Sequence, residues 1–215
     1  MIHLYGFVDG LDELPPVRGL DGAPLERRSL GGLELVFSRT SGPPSAEVSR
    51  EAVLQHAQVV EELAGRSGAI LPAQLGRAFR DDDDLATAVR EQAAQLARCL
   101  ERVRGCVEFG LRATVAEAGD AVPEAETGAD YLRVRLEQAR RLDGLVARLH
   151  EPLARLARAT TRQRRPDGFS AAYLVARKDV AQFREAATGL DRAPEATVVC
   201  TGPWPPYSFA SEAPS

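Results

Sequence analysis

The 215-residue sequence lacks the features that mark secreted, disulfide-linked and membrane-spanning proteins. Its three cysteines, Cys99, Cys106 and Cys200, are widely spread, so we expect reduced thiols rather than a disulfide framework. No apolar run approaches the roughly 20 residues of a membrane span. The start of the chain has no basic segment followed by a long apolar core, which predicts no signal peptide. These absences predict a cytoplasmic protein without membrane insertion.

The sequence also has few of the side-chain arrangements that catalysis and metal binding require. The three histidines and three cysteines form no His-x-x-x-His or Cys-x-x-Cys grouping, and there is no G-x-S-x-G elbow or phosphate-binding glycine loop. We therefore expect no catalytic, metal-binding or cofactor-binding residue, no cofactor and no enzymatic activity. His56, near Glu61 and Glu62, is the strongest acid–base candidate. Because His56 and Glu61 are five residues apart on a helix, a packed or interface histidine is favoured over a catalytic one.

Charge is distributed unevenly along the chain. The formal net charge of −4 argues against nucleic acid as the main partner. Residues 133–165 nevertheless hold 10 arginines against three carboxylates, whereas residues 1–132 hold 13 arginines against 22 carboxylates. The basic stretch therefore either balances the acidic first half within the molecule or meets an acidic partner.

One arginine cluster lies near the end of this basic stretch, at Arg162, Arg164 and Arg165. Such a cluster is either a solvated strand end or a site for a phosphate or an acidic partner. A basic RNA-binding module through Arg155–Arg165 is a further alternative, although no aromatic residues alternate with the arginines there.

Hydrophobic periodicity predicts an α+β first half. The predicted strands are Ile2–Val8, Leu25–Ser29 and Leu33–Ser38, the last two forming a hairpin around Gly31-Gly32, with Ala69–Pro72 as a short strand or extended loop. Ser49 is the predicted N-cap of a helix that ends near Gly65 and Gly68, and Asp81–Asp84 begin a second helix that Gly105 ends. The four aspartates favour the helix dipole and lack the spacing of a calcium loop.

The second half predicts the order β-α-β-β-α-β, which is the ferredoxin-like arrangement. The predicted elements are strands Val107–Val115, Ala159–Arg164, Ser170–Arg177 and Ala196–Thr201, helices Tyr131–Leu156 and Val180–Leu190, and a Pro166-Asp167-Gly168 turn. Pro152 predicts a kink or break near Leu149. We therefore predict two α+β domains, residues 1–104 and residues 105–215, the second ferredoxin-like with a Pro/aromatic tail at 202–215.

The tail itself, "TGPWPPYSF" at 201–209, concentrates prolines and aromatic residues. Prolines hold the chain extended, so Trp204, Tyr207 and Phe209 lose little entropy when they dock in a groove. The tail either docks on its own protein, in which case Trp204→Ala destabilises the fold, or captures another polypeptide. The residues predicted to bind a partner or dock the tail are Trp204, Tyr207, Phe209, His56, Arg162 and Arg164.

Several segments together resemble the gas vesicle protein F/L family. They are, in order along the chain, "YGFV", "HAQVVEEL" at 56–63, "ILPAQLGRAF" at 70–79, "GCVEFGLR" at 105–112, "GADYLRVR" at 128–135, "AAYLV" at 171–175 and "GPWPPYSF" at 202–209. The resemblance spans nearly the whole chain, and "GPWPPYSF" is its most specific part.

The resemblance implies a two-domain α+β accessory protein of gas vesicle assembly. Such proteins are not enzymes, and they associate with the small hydrophobic shell protein and with other vesicle accessory proteins in the cytoplasm and at the vesicle. The alternative is a ferredoxin-like domain that binds a small molecule or catalyses a reaction, because that fold hosts unrelated functions. A pocket with converging polar groups and a histidine or carboxylate of perturbed pKa would favour this alternative.

Overall fold

The computed structural model describes residues 1–41, 49–115, 127–165, 167–192 and 196–210. The chain divides into two compact units. The first unit comprises Met1–Val107 together with the segment that begins at Trp204, and the second comprises Glu108–Pro203. Each unit contains one antiparallel sheet with helices, so the protein is α+β, as the sequence predicts. None of the helices in these ranges is long and apolar enough to cross a membrane.

The first unit is built on a five-stranded sheet. Its strands are β1 (Ile2–Asp9), β2 (Leu25–Leu30), β3 (Leu33–Arg39), β4 (Ala69–Pro72) and β5 (Ala78–Phe79). The order is β2-β3-β1-β4, and β5 also pairs with β1. The predicted hairpin is confirmed: β2 and β3 pair antiparallel around Gly31 and Gly32, whose φ angles of 60° and 80° suit a tight hairpin turn.

Two helices accompany this sheet, α1 (Arg50–Arg66) and α2 (Asp82–Val103). Both begin where the sequence predicts. The Ser49 side chain accepts a hydrogen bond from the Ala52 amide, and the Asp81 side chain accepts one from Asp84. Helix α1 ends at Arg66, between the predicted end markers Gly65 and Gly68, and the amide and hydroxyl of its C-cap residue Ser67 both donate to the Leu63 carbonyl.

One hydrophobic cluster of the first unit lies between β1, β3, β4 and α1, while helix α2 buries Leu85, Val89, Leu100 and Val103 elsewhere in the unit. The buried side chains of the cluster are Tyr5, Val8, Leu11, Val36, Val59, Val60, Leu63 and Ile70. The long central strand β1 is buried along almost its whole length, which explains why its sequence is a continuous run of strand formers. Gly6 interrupts that run because a Cβ atom there would lie 2.5 Å from the Leu71 carbonyl oxygen of β4.

The second unit has the element order that the sequence predicts. It contains β6 (Cys106–Val115, which starts in the first unit), α3 (Gly128–Ala154), β7 (Ala159–Arg165), β8 (Gly168–Ala176), α4 (Val180–Thr188) and β9 (Ala196–Trp204, which ends in the first unit). The four strands form one sheet in the order β7-β8-β6-β9. Strands β7 and β9 are therefore its two edges. Phe183 of α4 packs against Phe109 of β6 and Tyr173 of β8, with ring centroids 4.7 Å and 5.4 Å apart.

Two predictions for this unit need correction. Helix α3 continues through Pro152 to Ala154, so the predicted break near Leu149 is absent; a proline in the last turn of a helix removes little of its hydrogen bonding. Strand β9 does not stop at Thr201 but extends through Gly202 to Trp204, because its pairing with β6 outweighs the low strand propensity of glycine and proline. In the predicted Pro166-Asp167-Gly168 turn, Pro166 lies outside the described residues.

Candidate functional site

The aromatic tail belongs to the first unit, where its three aromatic residues have different environments. After β9 the chain forms a short 3-10 helix, Tyr207–Phe209. Phe209 is the anchor, since only 3% of its surface is exposed and its carbonyl accepts a hydrogen bond of 2.6 Å from Arg102 of α2. Trp204, by contrast, is 46% exposed, and Tyr207 is half-buried. The tail is thus fixed at Phe209, whereas the Trp204 side chain stays partly exposed.

Tyr207 forms part of the wall of a groove of about 300 Å³ in the first unit. Strands β1, β4 and β5 form one side of the groove, helix α2 forms another, and Tyr207 and Ala210 of the tail also line it. The apolar lining consists of Leu4, Phe7, Leu71, Pro72, Ala73, Phe79, Ala88, Val89, Leu96 and Ala210. The remaining lining residues are Gln74, Arg77, Gln92, Gln95, Cys99 and Tyr207.

The chemistry of this groove suits binding rather than acid–base catalysis. Its described lining contains no histidine and no carboxylate. Burial, with a smaller contribution from the nearby Glu61 charge, raises the pKa of Tyr207 to about 12, so the phenol stays neutral. The Arg77 guanidinium lies 5.8 Å from the centroid of the Phe79 ring, which is a cation–π distance. A mostly apolar wall with amide and hydroxyl groups fits an apolar segment that also forms hydrogen bonds.

His56 is buried inside the first unit, with only 3% of its surface exposed. Its Nε2 lies 3.0 Å from the Ala73 carbonyl oxygen, and its Nδ1 lies 2.9 Å from Nε2 of His3. A carbonyl oxygen only accepts, so Nε2 of His56 carries the proton, and Nδ1 of the neutral ring then accepts from Nε2 of His3. Burial lowers the pKa of His56, and burial together with the His56 ring lowers the pKa of His3 to about 4.

This histidine pair supports the groove rather than forming a site of its own. Ala73 lines the groove, and its carbonyl accepts from His56 while its amide donates to the Tyr5 carbonyl at 2.8 Å. The Tyr5 ring stacks on His56 at 5.4 Å, and the Tyr5 hydroxyl accepts from the Leu20 amide at 2.7 Å. Hydrogen bonds to the carbonyl and to the amide of Ala73 thereby fix the start of the turn that follows β4.

Arg162 and Arg164 lie on β7, an edge strand of the second unit, and both are exposed. They pair across the strands with Ala171 and Phe169 of β8. Positive side chains along an exposed edge oppose pairing with a further strand. On the inner side of the same sheet, Nδ1 of His150 lies 2.9 Å from the buried Tyr173 hydroxyl, whose pKa is raised by burial.

The opposite edge, β9, differs in composition. Its nine residues, "ATVVCTGPW", carry no charge, and Val199 is exposed. A shallow groove lies between this edge and α4, lined in part by Val198, Phe109 and Ala187 with Arg184 at its rim. The second unit thus has one edge protected by arginines and one edge without charge.

Sequence reasoning identified the tail, His56 and the β7 arginines, but the structure does not bring these residues into one site. It missed His3 as the partner of His56, because the two are far apart in sequence and no spacing rule relates them. It also missed the contribution of Gln74 and Arg77 to the groove wall. The only sequence feature that could have indicated Gln74 and Arg77 was the motif "ILPAQLGRAF". In the structure this motif comprises most of β4, the turn that follows it, and β5.

Comparison with known proteins gives a consistent assignment. The family model described as gas vesicle synthesis protein GvpL/GvpF matches residues 1–211. The chain is 37% identical over 166 residues to gas vesicle protein L of a Streptomyces species, a match that spans 65% of this chain and 62% of that protein. It is 30% identical over 216 residues to gas vesicle protein F2 of Halobacterium salinarum, covering 97% of this chain and 91% of the relative.

Solved structures agree at the level of the fold. The crystal structure of gas vesicle protein GvpF from Anabaena matches with a TM-score of 0.83 at 17% identity. The match covers 99% of this chain and 96% of the Anabaena chain. GvpF from Microcystis aeruginosa has a TM-score of 0.80 at 18% identity, with 98% of each chain covered. On the match of the family model to nearly its whole length, the chain belongs to the GvpL/GvpF family of gas vesicle synthesis proteins.

Proposed function

We propose that this protein is an accessory factor of gas vesicle assembly that binds the small hydrophobic shell protein and other vesicle accessory proteins. It acts without catalysis, in the cytoplasm and at the growing vesicle. The observation that carries this proposal is the apolar groove of the first unit, which the half-buried Tyr207 borders and near which Trp204 stands exposed.

The physical need for such a factor is clear. A shell subunit that buries strands and apolar side chains in the finished wall exposes them before it assembles, and exposed strands and apolar surface promote aggregation. A groove that holds an apolar segment of the subunit covers part of that surface until the subunit joins the shell. The absence of histidine and carboxylate from the described groove lining favours this role over the catalytic form of the alternative.

We also propose that the second unit is a ferredoxin-like domain. The element order β6-α3-β7-β8-α4-β9 and the sheet order β7-β8-β6-β9 support this assignment. The two compact units support a division near the predicted Gly105, where the chain passes from α2 to β6 through a residue with φ of 65°, but they group the tail from Trp204 with the first domain rather than the second.

Co-expression of the full chain with the shell protein tests the proposed binding. The affinity-tagged chain is expected to retain the shell protein, and Leu96→Glu, which puts a charge in the groove wall, is expected to abolish retention. Leu54→Glu is the matched control, because Leu54 is exposed on α1 and lies outside the groove lining. The proposal fails if the unmodified chain retains no shell protein, or if the Leu96→Glu and Leu54→Glu chains retain equal amounts at equal melting temperature.

A further inference from the structure

Helix α3 has a buried half and an exposed half. Leu145, Leu149 and Leu153 of its second half are buried within the second unit. None of the residues from Gly128 to Gly144 whose burial is described is buried, and Leu132 and Leu136 are 67% and 51% exposed. Leucines at this exposure on a helix form an apolar face that none of the described residues covers.

The exposed residues follow the spacing of a coiled-coil seam. Ala129, Leu132, Leu136 and Ala139 recur at intervals of three, four and three residues, which correspond to successive a and d positions of a heptad. Asp143 occupies the next such position and ends the apolar stripe. The stripe therefore covers about three turns of helix, enough to contact one partner helix.

Arginines occupy the positions that flank this stripe. In the same register Arg133, Arg135 and Arg140 fall at e, g and e, the positions whose charges select the partner in a coiled coil. Arg133 forms an ion pair of 3.2 Å with Asp130 on its own helix. Glu137, the carboxylate nearest in sequence to Arg135, falls at b, outside the stripe and its flanking positions.

The flanking charges decide between possible occupants. A second copy of this chain would set Arg135 against Arg140 in a parallel pair and Arg135 against Arg135 in an antiparallel pair, which is repulsive in both cases. Nucleic acid would leave the leucines without an apolar contact. We propose that the exposed half of α3 binds an amphipathic helix of another protein that carries apolar residues along its seam and glutamate or aspartate at the flanking positions. This inference goes beyond the proposed function, because it does not depend on the groove or on the shell protein.

Two synthetic peptides of roughly three heptads test it. Both carry leucine at a and d, one has glutamate at e and g, and the other has lysine there. Titrated by fluorescence anisotropy with the full chain, the glutamate peptide is expected to bind at least about tenfold more tightly than the lysine peptide at low salt. Equal binding of the two peptides, or no binding of either, overturns the proposal.

Variants of the chain separate the stripe from its flanks. Arg135→Glu with Arg140→Glu is expected to reverse the preference toward the lysine peptide, and Leu132→Ser with Leu136→Ser to abolish binding of both. Arg141→Glu is the control, because it makes the same charge change at the outward f position; an equal reversal there contradicts the proposal. The proposal is also contradicted if sedimentation shows a dimer of the chain that the Leu132→Ser, Leu136→Ser variant no longer forms. It is contradicted as well if the chain binds phosphatidylserine vesicles or RNA more tightly than the glutamate peptide.

Discussion

Nε2 of His3 lies 2.9 Å from Nδ1 of His56, and both imidazole rings are buried in the first unit. Two histidines in direct contact are stable only while at most one is charged, and burial opposes even the first charge. The pKa of His3 falls from 6.5 to about 4, and that of His56 is lowered in the same direction.

The first prediction concerns pH. Between pH 6.5 and about 4 the folded pair binds fewer protons than the unfolded chain. The contribution of the pair to the free energy of unfolding is therefore at its maximum above pH 6.5, and it decreases as the pH falls through this window. Each histidine contributes a slope of up to ~1.4 kcal/mol per pH unit. Urea unfolding at pH 7.5, 6 and 5 measures it.

His3→Gln is the control for this pH dependence, because the amide retains a donor but does not titrate. We expect the variant to show a shallower slope than the unmodified chain over the same window. An identical slope in both proteins would show that other groups cause the acid sensitivity, His150 among them, since burial also lowers its pKa.

The second prediction concerns the close approach of β1 and β4. A Cβ atom at Gly6 would lie 2.5 Å from the Leu71 carbonyl oxygen, and a backbone atom cannot move aside as a side chain does. Gly6→Ala is therefore expected to lower the free energy of unfolding by about 1–3 kcal/mol. Gly65→Ala is the matched control: nothing lies within 4 Å of a Cβ there, and alanine in helix α1 should raise stability by about 0.5–1 kcal/mol. Chemical denaturation measures both variants, and an equal change in the free energy of unfolding for Gly6→Ala and Gly65→Ala would contradict the prediction.

The third prediction separates the aromatic residues of the tail. Phe209→Ala removes a buried ring and is expected to cost about 3 kcal/mol of stability. Trp204→Ala, which destabilises the fold if the tail docks on its own protein, should cost only about 1–2 kcal/mol because nearly half of the residue's surface is exposed. Thermal melting of the two variants checks the ranking, and a larger loss for Trp204→Ala than for Phe209→Ala would refute it.

The fourth prediction concerns the arginines of edge strand β7. Replacing Arg162 and Arg164 by valine removes the charges that oppose strand addition, so we expect faster aggregation on warming, followed by light scattering. The matched control replaces the exposed Arg90 and Arg98 of helix α2 by valine, with the same change in charge and composition. Equal scattering from the two double variants would assign the effect to net charge rather than to the edge.

Local patterns predicted most of the fold correctly. The Ser49 cap, the Gly31-Gly32 hairpin and the element order of the second unit all rest on interactions between residues close in sequence. The end of β9 was wrong because pairing with β6, a distant strand, outweighs the propensity of Gly202 and Pro203. Strand propensity depends on residues close in sequence, whereas strand pairing in a sheet depends on residues that are far apart in sequence.

The candidate site could be predicted only in part, for a related reason. Periodicity reveals the apolar stripe of α3 but not which turns are covered, so Leu132 and Leu145 look alike in sequence although only Leu145 is buried. Likewise the tail motif marks Trp204 and Phe209 equally, and only the structure, in which Phe209 is buried and Trp204 is 46% exposed, distinguishes the anchor. Burial depends on neighbours from elsewhere in the chain.

The first unit combines the beginning of the chain with its final aromatic segment. During synthesis, the ribosome releases all of the second unit before Tyr207 and Phe209 emerge. A chain that is cut short or still being translated therefore has no Tyr207 wall on its groove and no Phe209 anchor. Only a chain translated past Phe209 presents the groove with its Tyr207 wall, so the order of synthesis delays completion of this surface until the whole second unit has been made.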